Sequence, residues 1–433
     1  MMASSEKNSN HQLILTDLNH DCLLHIFSYL NLKEMTKMRS VSKEFNAVAD
    51  DAYRYCHVLN YNELSHNPRI KNEKLYEIIS KIGFFVNTLL ISDYQLHSIT
   101  SAIHSSQKHQ ILTLFQACKN LKHLEIRGSL YEPYPDEISQ EKSEQELFQR
   151  TLINLKTLTM EKTMITTKVS SLFNHSAQLE SVSMSICGFF GKANIFRNLR
   201  NLKELEVSRD LFIEEPFFDE FCQANQTLEK LKVASSYFFN YDCLISTTKH
   251  LKNLQHLEFR RISIERHENV ECLKNLPKLT HLTYKNILDA DASMLMTLAK
   301  QKRLQYLHLS IDYLEQCQQE VLNAVATFQT LKILRLDMYS DLYDDFLELF
   351  SSTDTLEELH IPYTKVTDYG VFEFIQRCKH LRYIDLTDCK SITRGLIRKL
   401  GGVQLNSPLA VEVTRTRIKH FGESVNLVFK FEV

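Results

Sequence analysis

A six-residue pattern of alternating apolar residues recurs through most of the chain. This repetition limits the folds that the chain can adopt. One repeat begins at each of Leu121 (LKHLEI), Leu155 (LKTLTM), Leu179 (LESVSM), Leu202 (LKELEV), Leu228 (LEKLKV), Leu254 (LQHLEF), Leu279 (LTHLTY), Leu304 (LQYLHL), Leu331 (LKILRL), Leu356 (LEELHI) and Leu381 (LRYIDL). From Leu155 to Leu381 the spacing averages about 25 residues, a period typical of repeat architectures. Alternation predicts a short strand with one set of side chains inward. Because one repeat cannot bury its own apolar face, the repeats are expected to stack.

The segment between two strands is expected to be helical. In one repeat near the carboxyl end, Val371, Ile375 and Cys378 step by four and three, which is the spacing of one helical face. The sequence therefore predicts an α/β fold with a strand and a helix in each repeat of about 25 residues.

The ninth position of the repeat is a small polar residue or cysteine in eight of the eleven units. These residues are Ser129, Thr163, Cys187, Asp210, Ser236, Asp312, Thr364 and Cys389. A side chain of this kind can satisfy backbone groups where the strand turns away, groups that stacking would otherwise bury unpaired.

Residues 356–400, LEELHIPYTKVTDYGVFEFIQRCKHLRYIDLTDCKSITRGLIRKL, resemble the cysteine-containing leucine-rich repeats of F-box proteins. Cys118 and Cys378 each stand three residues before the next leading leucine. The resemblance implies a leucine-rich-repeat solenoid. A strand at Val411 to Val413 and the apolar end from Val425 to Val433 are expected to close the stack, since the end of an array needs a cap.

Before the repeats, residues 18–50 read LNHDCLLHIFSYLNLKEMTKMRSVSKEFNAVAD, which predicts three short helices. Asn19 and Ser42 are suitable N-caps, and Asn31 with Glu34 has the spacing of a capping box. Three helices of this length cannot bury all their apolar surface against each other. The remaining face is expected to dock a partner, although an ordinary three-helix packing module is the alternative.

This stretch resembles the F-box, the helical motif that joins a substrate receptor to the Skp-family adaptor of a cullin ubiquitin ligase. Asn19 and Leu32 stand where the family usually has proline, Ser42 where it has cysteine, and Phe45 where it has tryptophan. The resemblance implies an adaptor-binding face made of Leu18, Leu23, Ile26, Phe27, Leu30, Val41 and Phe45.

The domain organisation follows from these two resemblances. We expect a disordered N-terminus over residues 1–12, an F-box over 13–52, and a first strand, helices and one degenerate repeat over 53–120. Leucine-rich repeats then occupy 121–405, with an acidic insertion at 129–150, and a C-terminal cap occupies 406–433. The insertion is predicted to be a solvated loop, because insertions in repeat arrays map to loops.

Composition excludes several classes of function. The 51 basic and 53 acidic residues give a formal charge of −2, which argues against binding to nucleic acid or to an anionic membrane. None of the 10 cysteines falls at C-x-x-C spacing, and no segment reads as a signal peptide or a membrane span. A reducing cytoplasm or nucleus is therefore expected, and the sequons at Asn174 and Asn225 are interpreted as chance matches.

No catalytic constellation is apparent. Gly-rich phosphate loops and a G-x-S-x-G elbow are absent, and His267-Glu268 lacks the second histidine of a zincin. Five histidines are predicted on outward positions of repeat strands, where solvated or partner-contacting imidazoles are expected: His123, His256, His281, His308 and His360. Neither a metal nor a cofactor is expected.

The two resemblances together imply a substrate receptor of an SCF-type ubiquitin ligase, which is a non-catalytic subunit. The F-box would bind the Skp-family adaptor and cullin, and the repeats would bind a protein target. The predicted target-binding residues are Lys230, Lys232, His256, Glu258, Arg260, His281 and Lys285. One alternative is an F-box repeat scaffold that binds its adaptor without directing ubiquitylation; another is a hydrolase using strand-borne histidines and acids.

Overall fold

The computed structural model describes residues 15, 18–62, 72–92, 114–128, 150, 153–165, 178–189, 199–208, 215–234, 239–260, 270–287, 292–311, 318–338, 342–350, 355–402, 405, 408–418 and 428–431. The chain divides into two compact units, Met1–Thr163 and Met164–Val433. The predicted N-terminus over residues 1–12 lies outside the described residues, as do residues 129–149 of the acidic insertion.

The first unit begins with helices and continues with strands. The helices α1 (His20–Phe27), α2 (Leu32–Met38) and α3 (Lys43–Ala52) are followed by a 3-10 turn at Tyr53–Tyr55. Next come β1 (Val58–Asn60), a helix at Asn72–Ile82, a 3-10 turn at Gly83–Phe85, β2 (Thr88–Ser92), β3 (His123–Arg127) and β4 (Thr157–Glu161). Neighbouring strands pair in parallel, and their inward residues Leu59, Leu89, Leu124 and Leu158 are in register and buried.

The second unit contains most of the repeat strands. They are β6 (Ser181–Ser185), β8 (Glu204–Ser208), β9 (Lys230–Ala234), β10 (His256–Arg260), β11 (His281–Ile287), β12 (Tyr306–Ile311), β13 (Ile333–Met338), β14 (Glu358–His360), β15 (Tyr383–Asp385) and β16 (Leu409–Glu412). They pair in parallel in this order. A last strand, β17 (Val428–Phe431), pairs antiparallel with β16. Two short strands, β5 (Met164–Ile165) and β7 (Gly188–Phe189), form a separate parallel pair.

Helical segments connect these strands, as the predicted strand-plus-helix repeat requires. The described ones are Glu215–Ala224, Tyr241–His250, the 3-10 helix Val270–Asn275, Ala292–Lys300, Gln318–Ala326, Asp344–Leu349, Asp368–Arg377 and Arg394–Gly401. In Asp368–Arg377 the predicted inward residues Val371 and Ile375, and Cys378 just beyond the helix, are buried. No helix in the described ranges is long and apolar enough to cross a bilayer.

One row of apolar side chains runs across the strands of the second unit. Successive Cα partners in this row are at most 1% exposed: Val182, Leu205, Leu231, Leu257, Leu282, Leu307, Leu334, Leu359, Ile384 and Val411. Because each residue packs beside its equivalents in the flanking repeats, a stack buries what one repeat would leave exposed. The predicted repeat fold is therefore confirmed.

The ninth position of the repeat closes the turn that follows each strand. All four described examples, Thr163, Cys187, Thr364 and Cys389, are at most 2% exposed. The residue before each has a positive φ between 51° and 62°, the left-handed conformation that sends the chain out of the strand. Thr163 and Thr364 each donate from Oγ1 to a backbone carbonyl at 3.0 Å. These side chains satisfy buried backbone groups, as the sequence predicts.

Candidate functional site

The three helices of the N-terminal segment begin at the predicted caps. Asn19 accepts a hydrogen bond from the amide three residues on at 2.9 Å, and Ser42 does the same at 3.0 Å. Asn31 accepts from the Glu34 amide at 2.9 Å while the Glu34 carboxylate accepts from the Asn31 amide at 3.0 Å. The capping box fixes where α2 starts, so the turn between α1 and α2 has a defined geometry.

Three of the seven predicted adaptor contacts lie in the core of this segment. Leu23 and Phe27 are 0% exposed and Phe45 is 3% exposed. Phe27 packs edge-on against Phe45, with ring centroids 5.5 Å apart. Leu23 and Phe27 are four residues apart on α1, so they share the face that α3 covers. These three side chains hold the helices together rather than presenting a surface to a partner.

Other apolar side chains of the segment remain exposed. Ile26 is 38% exposed, Tyr29 is 77% exposed and Val41 is 61% exposed. All three lie at the carboxyl ends of α1 and α2, and we call them the docking face. Leu18 and Leu30 are half-buried. Tyr29 was not among the predicted adaptor contacts, although it belongs to the run IFSYL at residues 26–30. Its position just after the end of α1 could have indicated that it is exposed.

Arg39 joins the helices to the first repeat of the same unit. Its side chain is 7% exposed and lies 3.1 Å from Asp50 and 3.4 Å from Glu77. It also donates to Tyr53 Oη at 2.7 Å. Burial opposes the guanidinium charge, but Tyr53, Asp50 and Glu77 outweigh it and raise the pKa of Arg39. Lys81 on the helix Asn72–Ile82 bonds Asp50 at 2.9 Å, which adds a second tie.

The charges on the predicted target-binding strands largely pair with one another. Across β8, β9 and β10 the ion pairs are Lys230–Glu204 at 3.6 Å, Lys232–Glu206 at 3.7 Å, Lys232–Glu258 at 3.8 Å and Arg260–Glu258. Such partly exposed pairs contribute less than about 1 kcal/mol each. The backbone of Lys285 is in register with Arg260, and its side chain lies outside the described part of the chain.

His256 and His281 stack on neighbouring strands. Their ring centroids are 3.9 Å apart with an interplanar angle of 22°, and His281 also stacks on Tyr306 at 5.6 Å. Burial lowers the pKa of His281 to about 4, and the charge of His256 contributes a smaller part of this shift. Burial and nearby lysines also lower the pKa of His256. The parallel register of β10 and β11, which pairs the two residues, brings the rings together.

The stability of the fold should depend on pH through His281. In the unfolded chain the imidazole binds a proton near pH 6.5, whereas the folded chain excludes it down to about pH 4. Stability should therefore fall as pH falls through this window. In His281→Phe, which retains a ring for stacking, the melting temperature should fall less between pH 7 and pH 5. His380→Phe, at an exposed position, is the matched control; equal slopes in all three proteins would contradict the assignment.

Two of the predicted outward histidines are buried in the chain, which contradicts the solvated alternative for them; contact with a partner stays a prediction. His308 is 6% exposed and His360 is 7% exposed. His308 Nε2 lies 2.9 Å from Asp337, and His360 lies between Glu358 at 3.3 Å and Asp385 at 3.6 Å. Tyr306 and Asp337 contact the His308 ring, and Tyr383 contacts the His360 ring. The alternation of a single strand does not predict such contacts.

The remaining predictions concern metals and glycosylation. Among the described residues, no group of three or more histidine, cysteine or acidic side chains is arranged to hold a metal ion. Asn225 is fully buried and its side chain makes three backbone hydrogen bonds. A folded chain cannot present it for glycosylation, which agrees with its interpretation as a chance sequon. Asn174 lies outside the described ranges.

Comparison with known proteins supports the assignment of the N-terminal helices. The F-box domain family matches residues 15–57, a range that contains all three helices and their caps. A search of curated proteins finds no match. Among solved structures the chain is similar to an internalin (inlF) from Listeria monocytogenes str. 4b F2365, with 16% sequence identity and a TM-score of 0.40, over 64% of this chain and 76% of that chain.

The family match coincides with the capped helices and their buried Phe27–Phe45 contact. The parallel strands that follow carry one row of buried leucines in register. F-box domains generally bind Skp-family adaptors, and F-box proteins are generally non-catalytic. The chain carries an F-box domain at residues 15–57, followed by strand-and-helix repeats stacked on a row of buried leucines.

Proposed function

We propose that this protein is the substrate-receptor subunit of an SCF-type ubiquitin ligase. The observation that carries the proposal is the docking face, where apolar side chains stay exposed on a capped and well-packed helical base. Ile26, Tyr29 and Val41 are between 38% and 77% exposed, while the residues beneath them are buried. Apolar side chains left on a rigid helical surface are typical of a protein interface.

The mechanism of such a receptor is positional. The F-box holds the Skp-family adaptor and, through it, the cullin, while the repeats hold the target. A target lysine then becomes an effectively intramolecular partner of the charged ubiquitin carrier, which raises its local concentration. The chemistry would belong to other subunits, and the protein would act in the cytoplasm or the nucleus.

The state of the cysteines is compatible with a reducing compartment. None of the nine cysteines that the structure describes forms a disulfide bond. Burial raises the pKa of Cys56 to about 11 and that of Cys118 to about 12, so both thiols remain protonated and unreactive at neutral pH.

The proposal is tested by removing the docking face without touching the core. Tyr29→Ala combined with Val41→Asp should weaken binding of the full chain to a purified Skp-family adaptor by roughly 10- to 100-fold, since exposed aromatic and apolar anchors dominate interface affinity. Isothermal titration calorimetry measures this loss. The melting temperature should stay near that of the wild type, because both side chains are largely exposed.

Phe84→Ala is the matched control for this experiment. Phe84 is 61% exposed and lies in the same unit but outside the three helices, so its removal should leave adaptor affinity unchanged. Unaltered affinity in the docking-face variant would contradict the proposal. Adaptor binding without co-purification of cullin would instead favour the scaffold alternative.

A further inference from the structure

The distribution of charge on the strand face differs between the middle and the last repeats. On β8, β9 and β10 three acids and three bases neutralise one another in ion pairs. On β14, β15 and β16 the outward acids Glu358, Asp385 and Glu412 have no lysine or arginine within 4.0 Å among the described residues. We call these three acids, with Arg335 and His360, the terminal strand face.

The floor of the terminal strand face is buried but has an unsatisfied polar atom. His360 is 7% exposed, and its Nδ1 has no hydrogen-bond partner. Nδ1 lies 3.6 Å from Asp385 Oδ2, beyond ordinary hydrogen-bond length, while Nε2 lies 3.3 Å from Glu358. A neutral imidazole has one proton and can donate to only one of these carboxylates. The other carboxylate then has free acceptor capacity that a cationic side chain from outside the chain can use.

Arg335 is the second unusual group at this place. It stands on β13, with its Cα in register with those of His308 and His360. Its Nε is buried and has no hydrogen-bond partner, and the guanidinium forms no ion pair in the described part of the chain. A half-buried guanidinium without a partner is rare, because desolvation of its donors costs free energy unless they are bonded. Nε itself has no accessible surface, so carbonyl oxygens of a bound peptide would accept from the solvent-facing part of this half-buried side chain.

The rim of the terminal strand face is accessible. The Glu358 side chain is 40% exposed, and that of Asp385 is 17% exposed. Asp385 is held by the Thr387 amide at 2.9 Å, and Glu412 accepts from the Thr414 hydroxyl. Tyr383 lies among them; burial, followed by the charges of Asp385 and Glu412, raises its pKa to about 12. The strand register places Asp385 beside Glu412 and Glu358 beside Tyr383, so the three acids share one part of the strand face.

We propose that the terminal strand face binds a basic peptide segment of the target protein. A lysine or arginine side chain of the segment would sit among Glu358, Asp385 and Glu412, and Arg335 would donate to carbonyl oxygens of the peptide backbone. This inference rests on the proposed function for the identity of the ligand as a target. It places the target site in the last repeats, where charge is unbalanced, rather than in the self-paired middle repeats.

Degenerate peptide pools test the inference. Each fluorescent nine-residue pool has Lys, Arg, Asp or Ser fixed at the centre, and binding to the full chain is measured by fluorescence anisotropy. The Lys and Arg pools should bind roughly tenfold more tightly than the Asp and Ser pools, and added salt should reduce the difference. Glu358→Gln, Asp385→Asn and Glu412→Gln together should abolish the preference, because each change removes charge while retaining an acceptor for the bonds that hold it.

Glu204→Gln with Glu206→Gln is the matched control, since it removes two acids from the strand face of β8, each 50% exposed. The control should keep the preference. Equal binding of all pools, tighter binding of the Asp pool, or a preference that survives the triple substitution would each overturn the inference. Adaptor affinity, measured on the same variants, should be unchanged. If the wild-type chain did not bind the adaptor, that result would contradict the proposed function but not this site.

Discussion

Replacing Phe27 with alanine should destabilise the F-box by about 3–5 kcal/mol, the usual cost of removing a buried phenylalanine. Phe27 is 0% exposed and packs against Phe45 across α1 and α3. The cavity left behind would remove the contact that holds the two helices together. Hydrogen exchange of the amides in α1 and α3 should therefore accelerate by at least about 100-fold, and adaptor binding should be lost because the docking face no longer has a base.

Ile26→Ala is the natural comparison, because Ile26 is the neighbouring residue on the same helix but is 38% exposed. This variant should change the free energy of unfolding by less than about 1 kcal/mol, yet it should still weaken adaptor binding. Similar exchange rates in the two variants would show that Phe27 is not part of the core. The two residues must be changed separately, since a double substitution would combine a loss of folding with a loss of contact.

Local features of this fold could be predicted from the sequence with good accuracy. The caps at Asn19, Asn31 and Ser42 depend on side chains within three residues of the amides that they satisfy, so a short segment contains all the information. The repeat strands could be predicted equally well. Each leading leucine restarts the same alternation, and the ninth position marks the turn after it.

Features that depend on neighbouring elements could not be predicted in the same way. Helical spacing groups Leu23, Ile26 and Phe27 on one side of α1 but does not say which of them α3 covers. The predicted target surface includes Lys232 and Glu258, and only the register between β9 and β10 brings them within 3.8 Å. On β14, Glu358 of the same strand and Asp385, which the register with β15 places opposite, flank His360. Contacts between repeats therefore decide which polar residues remain available to a partner.

Asn225 has a structural role that the sequence around it does not reveal. It stands three residues before the leading Leu228, the position that Cys118 and Cys378 occupy in other repeats. Its side chain accepts from the Leu202 amide at 3.0 Å and donates to the carbonyls of Leu199 at 3.0 Å and Phe221 at 2.8 Å. The asparagine thus joins its own helix to the start of the preceding strand. Because the side chain is buried, the folded chain does not present it for modification.

Asn225→Ala should cost about 3–5 kcal/mol, because it leaves the Leu202 amide and the Phe221 carbonyl without partners, and each such buried group costs about 1–3 kcal/mol. The Leu199 carbonyl still accepts from Arg200. Asn225→Asp should be worse at neutral pH, since a carboxylate cannot donate to the two carbonyls and its charge would be buried. Urea unfolding of the full chain measures both. Asn253→Ala is the control, because Asn253 is half-buried and bonds one backbone carbonyl at 2.9 Å. If Asn225→Ala were no more destabilising than the control, the three bonds would contribute little and the repeats would be held by their leucine row alone.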